Sequence, residues 1–547
     1  MSRRLVSLFL TTLLVVMLTS VTSEAAAKKQ RIIYIPHDNR PISFEQTVNS
    51  VKGLNYEILT PPEDLLGNRT YGGDPDGLWR WLFKTTVKSF EDKDNEFEDY
   101  IVVSSDALIY GSLVASRKHE FSDDTILRRV DNFKALRKFN PNAKIYVFSS
   151  IMRSPKVSNG GVEPNYYEEF GPAIFEITSL RDKAEIDGLN AIDAERLNKL
   201  QSEMPNSFIN DWLSRRKKNF GVNVKLIEYA KEDIFDYLAL GRDDNAVYSQ
   251  TSKENRELSK LTIDLSADKF RSLAGVDEMG LILLTRAVNN IKNLTPRVYV
   301  QYGYGIGGAT IPTYSDSEIS KSINDHILAA GGKEIYLPNK IDIVLMVNTN
   351  EYGITRDASS LMNRVIENKN IVEFVDKTGK FIDEGYNVAI ADIAFSNGAD
   401  NDLMAQLEKR DLLGKLTAYS GWNTADNSAG FVIGQSLLAQ NMSKDKIKEL
   451  LAIRLVDDWG YQANVRQQLL KEVLTPENIS YVDLSGKESV LEQNANKRIY
   501  KFIGKHLWRF DIKTVKLSFP WKRMFEVKVD LNLNYDNQSL LYKAKGW

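Results

Sequence analysis

Short, nearly continuous apolar runs recur along the chain, and longer stretches of helical periodicity fall between them. Residues 31–35 (RIIYI), 56–59 (YEIL), 100–104 (YIVVS), 144–148 (KIYVF) and 235–240 (FDYLAL) read as strands. So do 297–301 (RVYVQ), 341–347 (IDIVLMV), 387–393 (NVAIADI) and 415–419 (KLTAY). Continuous rather than alternating apolarity is what parallel strands covered on both faces require. Helical patterns at 125–138, 193–219 and 317–330 separate them, which predicts βα units with right-handed crossovers.

Two closures satisfy that rhythm. The preferred one is a distorted TIM-barrel-like (β/α) core. The alternative is a pair of doubly wound parallel sheets, dividing near the helical pattern at 253–293. After about residue 441 the rhythm changes to helices, with 446–473 at their centre. Two alternating runs at 515–519 and 525–533 then predict a small α+β C-terminal region. The expected organisation is therefore a leader at 1–27, an α/β core at 28–440 and the α+β region at 441–547.

The leader is expected from Arg3-Arg4, the apolar stretch 5–21 and the small residues Ala25-Ala26-Ala27, the pattern of a cleaved secretory signal peptide. An uncleaved N-terminal anchor is the alternative, because the apolar stretch is close to membrane-spanning length. The chain has no Cys, which removes disulfides, thiol nucleophiles and thiolate metal sites. A net charge of -2 over 547 residues gives no reason to expect nucleic acid as a partner. No segment after the leader is apolar enough for stable membrane insertion. The expected partner is a glycan or other small molecule.

In either closure, ligands sit beyond the carboxyl ends of the parallel strands. Polar clusters follow strand after strand: His37-Asp38-Asn39-Arg40, Ser105-Asp106, Ser150 with Arg153, Arg242-Asp243-Asp244-Asn245, Tyr302-Gly303-Tyr304, Asp392, and Trp422-Asn423. Any one of these suits an ordinary turn, since Asp, Asn and Gly favour turns for backbone reasons. Their recurrence points to one shared pocket. The segments YIPHDNRP, VVSSDALIYGS, LGRDDNAVYSQ, ADIAFSNGAD and AYSGWNTADNSAG resemble the bacterial exported family DUF4127 over most of the chain. The resemblance implies an exported bacterial protein and brings no activity with it, so the chemistry rests on the residues.

No Gly-x-Ser-x-Gly elbow is present, and the four histidines leave few candidate bases. Gly303 to Gly308 lack dinucleotide-fingerprint spacing, so no cofactor is expected. Glycoside hydrolysis needs two carboxyl groups, one protonated and one charged, together with hydrogen-bonding and stacking side chains. Asp244 is the expected acid/base, and Asp243 the residue that orients an acetamido group or stabilises an oxocarbenium-like transition state. Asp38, Arg40, Asp106, Arg153, Asn245, Tyr304, Asp392, Trp422 and Asn423 are the expected substrate-binding residues. Both aspartates reach one ligand only from a loop, because strand neighbours point to opposite faces. Asp243 to Asn245 otherwise suit a turn capping the next helix. The favoured reading is an exported glycoside hydrolase acting on a cell-wall or environmental glycan, with N-acetylhexosaminides first. A metal-dependent deacetylase or phosphoesterase using His37, Asp38, Asp106, Asp243 and Asp244 is one alternative. A non-catalytic glycan- or solute-binding protein is the other.

Overall fold

Among the described residues thirteen strands pair in parallel, and most carry the unbroken apolarity that suits such pairing. The computed structural model describes residues 29–54, 56–91, 97–157 and 161–534; the expected leader lies outside them. Six strands form the first sheet: β1 (Lys29–Ile35), β2 (Glu57–Leu59), β3 (Phe97–Ser104), β4 (Lys144–Ile151), β5 (Tyr237–Arg242) and β6 (Phe270–Ala274), in the order β2-β1-β3-β4-β5-β6. Five form the second: β7 (Arg297–Tyr302), β8 (Lys333–Ile335), β9 (Ile343–Asn348), β11 (Val388–Asp392) and β13 (Ala418–Ser420), in the order β8-β7-β9-β11-β13. A two-residue ladder joins β10 (Arg356–Asp357) to β12 (Phe395–Ser396).

The α/β class with repeated βα units is as read from the sequence. Among the described residues the ladders make two sheets, each with its own edge strands, which is the arrangement of the second closure. The two sheets share one winding order. In each, the second strand lies outside the first and the later strands follow on the other side, so the direction of winding reverses between β1 and β3 and again between β7 and β9.

A shared helical layer joins the sheets. In the helix Met279–Ile291, every residue from Met279 to Asn289 is buried, and all of Ala425–Ala439 is buried. Both helices, largely apolar with a few buried polar residues, are enclosed on all sides. One core accordingly runs from Tyr34, Val102 and Phe148 of the first sheet, through Leu281 and Val432, to Val300 and Leu345 of the second. Each such side chain contributes about 1.5–3 kcal/mol of burial before the entropy cost. The two helices meet closely: a Cβ on Gly434 would stand 2.8 Å from Leu281 Cγ, and one on Gly430 2.3 Å from Glu278 Cγ. The outer face of the second sheet packs under the C-terminal helices and the antiparallel pair β14 (Ile512–Ser518) and β15 (Lys528–Leu533), the α+β region expected there.

Two sequence expectations need correction. The pattern at 253–293 is not one helical stretch, because β6 lies between the helices Gln250–Lys260 and Met279–Ile291. Its FRSLA sequence is half-exposed over its first three residues and lacks the apolar run of a central strand. The pattern at 193–219 is two helices, Ala191–Glu203 and Asn206–Lys231, parted at Pro205, which sits in an extended conformation.

Gly241 lies inside β5, where a Cβ would come within 2.3 Å of Met279 Sδ and 2.6 Å of the Gly275 carbonyl oxygen. The glycine therefore serves close approach rather than a bend. Gly241→Ala should lower stability by about 1–3 kcal/mol through overpacking. Chemical denaturation measures this, and an unchanged midpoint would show that strand and helix part freely.

Candidate functional site

β5 ends at Arg242, which leaves Asp243 and Asp244 in the loop beyond it. Both carboxyl groups therefore face the same cavity. Asp244 adopts φ 38°, a left-handed conformation that costs an Asp less than most residues and is frequent at functional sites. Asn245 serves the turn instead. Its amide donates to Asp316 Oδ2 (2.7 Å), and its oxygen accepts from the hydroxyls of Ser249 and Ser252 at the start of the next helix.

The cavity, about 340 Å3, opens at the carboxyl edge of the first sheet. Arg40, Arg153, Asp243, Asp244 and Asn423, all singled out from sequence, line it. Asp38 lies just behind and accepts from Arg40 Nε at 2.9 Å. Arg40 also reaches Asp277 Oδ1 at 2.7 Å, and Asn423 Nδ2 donates to Asp277 Oδ2 at 2.9 Å. Arg153 pairs with Asp244 and donates from Nε to Glu163 Oε1 at 2.6 Å; its Nη1 is 3.9 Å from Asp243 Oδ2. Arg117 bridges Glu163 (3.3 Å) and Asp243 (3.6 Å). Each of these guanidinium groups already faces carboxylates, so among the described residues Arg40, Arg117 and Arg153 fix the walls through internal pairs.

Burial is the main influence on the carboxyl groups here. It raises Asp244 to about 6, assisted by the charge of Asp243 and opposed by Arg153 and Arg117. Burial likewise raises Asp277 to about 7 against the pull of Arg40. Both groups thus hold protons far nearer neutrality than a solvated Asp does. Tyr314, an exposed ring lining the cavity, sits close enough to Asp244 for that charge to help raise its phenol, after burial.

A family model described as Protein of unknown function (DUF4127) matches residues 32–530. The chain belongs to the DUF4127 family. No curated protein and no solved structure matches it. What a DUF4127 member does at this cavity must therefore be argued from its own side chains.

Besides Asp38 and Asn245, four of the expected site residues lie away from the cavity lining. Asp106 is buried beneath the cavity, where it accepts from Ser150 N (2.9 Å) and Oγ (3.0 Å) and is raised to about 7 by burial. Trp422 is a core side chain, buried and tilted against Phe525 at 5.7 Å. Asp392 belongs to the second sheet. There it accepts from Tyr419 Oη (2.7 Å) and Asn348 Nδ2 (2.9 Å), and burial followed by the charge of Asp400 raises it to about 7. Tyr304 is exposed on a different cavity, at the ends of β7 and β9. The expected single pocket is thus two, one on each sheet. Glu278, at the start of the helix Met279–Ile291, accepts a hydrogen bond from or donates one to His326 Nε2 at 2.7 Å, inside the shared layer.

The metal alternative needs clustered donors. His37 instead turns Nδ1 to Ser104 Oγ (2.9 Å) and Asp106 (3.4 Å), and burial lowers it to about 3. Among the described residues, no three His, Asp or Glu side chains are gathered to hold a metal ion. Also among them, no helix is long and apolar enough to cross a membrane.

Asp277 escaped the sequence reading because β6 did; with that strand recognised, the rule of polar residues after strand ends selects it. Arg117 stands in the one-turn helix Ala115–Lys118 and Glu163 in a loop, neither with a periodic signal. Trp521 and Arg523 come from the turn between β14 and β15, and the Trp521 indole donates to Asn39 Oδ1 at 2.8 Å.

The raised carboxyl groups set a pH dependence. A folded pKa above the unfolded one means that the native state holds more protons, so the stability this gives is present below about pH 4 and is lost as pH rises through about 7. Asp277→Asn should therefore reduce the loss of stability between pH 5 and pH 8 relative to the parent chain. Urea midpoints at both pH values test this, and an unchanged difference would remove Asp277 as a source.

Proposed function

We propose that this DUF4127 chain is an exported glycoside hydrolase acting on a neutral cell-wall or environmental glycan, with N-acetylhexosaminides the first substrates to try. The observation that carries the reading is Asp244: a carboxyl group with a pKa near 6, on a cavity wall, beside the carboxylate of Asp243 and the ring of Tyr314. Glycosidic cleavage requires a protonated acid at the leaving oxygen and a second carboxyl group at the sugar. Asp244 donates the proton. Asp243 orients the acetamido group or stabilises the positive charge that develops at the anomeric carbon. Tyr314 takes the stacking role that the sequence reading gave to Tyr304 and Trp422, and Asn423 with Asp277 offers polar contacts to hydroxyl groups. Because the guanidinium groups are paired internally, the cavity suits an uncharged polyol better than an acidic sugar.

Asp244→Asn should lower kcat on aryl glycosides by about 10²–10⁴-fold with ligand binding retained, the loss expected for a missing general acid. Activity of the parent chain should decline as pH rises through about 6, since deprotonated Asp244 cannot donate. A screen of aryl glycosides and peptidoglycan fragments, with and without chelator, checks both. Turnover of esters or amides that chelation stops would replace this reading with the metal hydrolase. Binding of one glycan without turnover would replace it with the binding protein.

Export is part of the proposal and rests on the leader pattern at residues 1–27. N-terminal sequencing of protein from native cells should find a start near Ala26 or Lys28. An intact leader in the membrane fraction would overturn cleavage.

A further inference from the structure

The second sheet carries a cavity of its own, about 310 Å3, at the carboxyl ends of β7 and β9. That is where its winding reverses, the place at which open α/β sheets leave a crevice for ligands. Gly303 and Tyr304 follow β7 here, Asn348 ends β9, and Phe395 follows β11. The glycines of this loop do not cradle a ligand: a Cβ on Gly305 would fall 2.1 Å from the Glu351 carbonyl oxygen, so they serve loop-to-loop packing.

The charges of this cavity are arranged unlike those of the first. Its acids are occupied from within. Glu351 accepts from Asn370 Nδ2; Asp400 accepts from Asn348 Nδ2 (3.2 Å) and Asp402 N (2.9 Å); Asp402 accepts from the backbone of Glu367 (3.0 Å) and Asn368 (2.8 Å). Its two arginines are not. Half-buried Arg356 and exposed Arg364 line the cavity, and among the described residues neither guanidinium has a hydrogen-bond or ion-pair partner. Beside those satisfied acids and amides the wall has an apolar part, with Phe374 and Ile371 beneath and Tyr304, Tyr352, Met362 and Ile366 exposed at the rim. Few soluble surfaces leave so many large apolar side chains together without a use.

We propose that this cavity binds a small organic anion with an aromatic or apolar body, its anionic group on Arg356 and Arg364 and its body against Tyr304, Tyr352, Met362 and Phe374. Planar guanidinium groups suit carboxylate, phosphate and sulfonate oxygens alike. The site is separate from the Asp244 cavity: the β10–β12 ladder stands between them, with Arg356 and Phe395 on this side and Asn397 on the other. The inference does not depend on the hydrolase reading.

Fluorescence titration of the full chain with 1-anilinonaphthalene-8-sulfonate tests it, with uncharged N-phenyl-1-naphthylamine for comparison and phenyl phosphate and phenylacetate as competitors. Saturable binding of the sulfonate is expected. In Arg356→Gln/Arg364→Gln it should weaken at least about tenfold, the loss expected for a charge-assisted contact. Asp244→Asn should bind it as the parent does. Arg364→Gln alone, at an exposed position, should weaken it in the same direction if the double variant does not fold. Preferential displacement by one competitor identifies the anionic group. No saturable binding, equal affinity in the arginine variants, equal affinity for the uncharged naphthylamine, or displacement by neither competitor would each overturn the proposal.

Discussion

The close contact of the helices Met279–Ile291 and Ala425–Ala439 is the constraint on which the rest depends. Two glycines, Gly430 and Gly434, let them approach to a distance that any larger residue would forbid. Both are buried on every side, with a sheet on each outer side. This fixes the separation of the two sheets and the placement of both carboxyl edges. It also brings Asp277, which follows β6 of the first sheet, within hydrogen-bond reach of Asn423, which follows β13 of the second. The first cavity is thus walled from both halves of the chain, although its acidic pair lies on one.

Buried charge is the second organising feature. An arginine-carboxylate pair taken out of water gains little net stability, because desolvation offsets the attraction, yet removing one partner is costly. Arg40, Arg117 and Arg153, each with carboxylates on more than one element, therefore act more as clamps than as sources of stability. Arg40 ties the loop after β1 to the segment after β6, and Arg153 ties the loop after β4 to the loop after β5. The same low-polarity surroundings that make these pairs costly to break raise the pKa of Asp244 and of Asp277.

Much of the fold is legible in the sequence, because buried parallel strands announce themselves by unbroken apolar runs. RIIYI, YIVVS and KIYVF lie wholly in strands, and IDIVLMV does so from Ile343 onward. β6 and the three-residue β8 are not legible, being short and partly exposed edge strands whose sequences carry no such run. The choice between one ring and two sheets is not legible either, since strand order is set by which helices pack together and not by any strand's own pattern. That is why one local rule selects Arg40, Arg153, Asp243, Asp244 and Asn423, which line one cavity with Asp38 behind them, together with Tyr304 and Asp392, which do not line it. These two follow the same local rule, polar residues at a carboxyl edge, on the other sheet. Trp422 was misplaced for a different reason: an indole beside polar residues reads alike whether it stacks on a ligand or fills a core.

The hydrogen bond from Trp521 to Asn39 spans 482 residues of chain. Tyr481, Trp521, Arg523 and Phe525 all wall the first cavity, yet they are synthesised long after the loop that follows β1. The loops after β1, β4 and β5 exist long before that, with one side open. Chain closure over such a separation is slow compared with local helix and turn formation. The cavity is consequently a late product of folding, and a chain stopped short of the β14–β15 turn would carry its aspartates without the wall that encloses them.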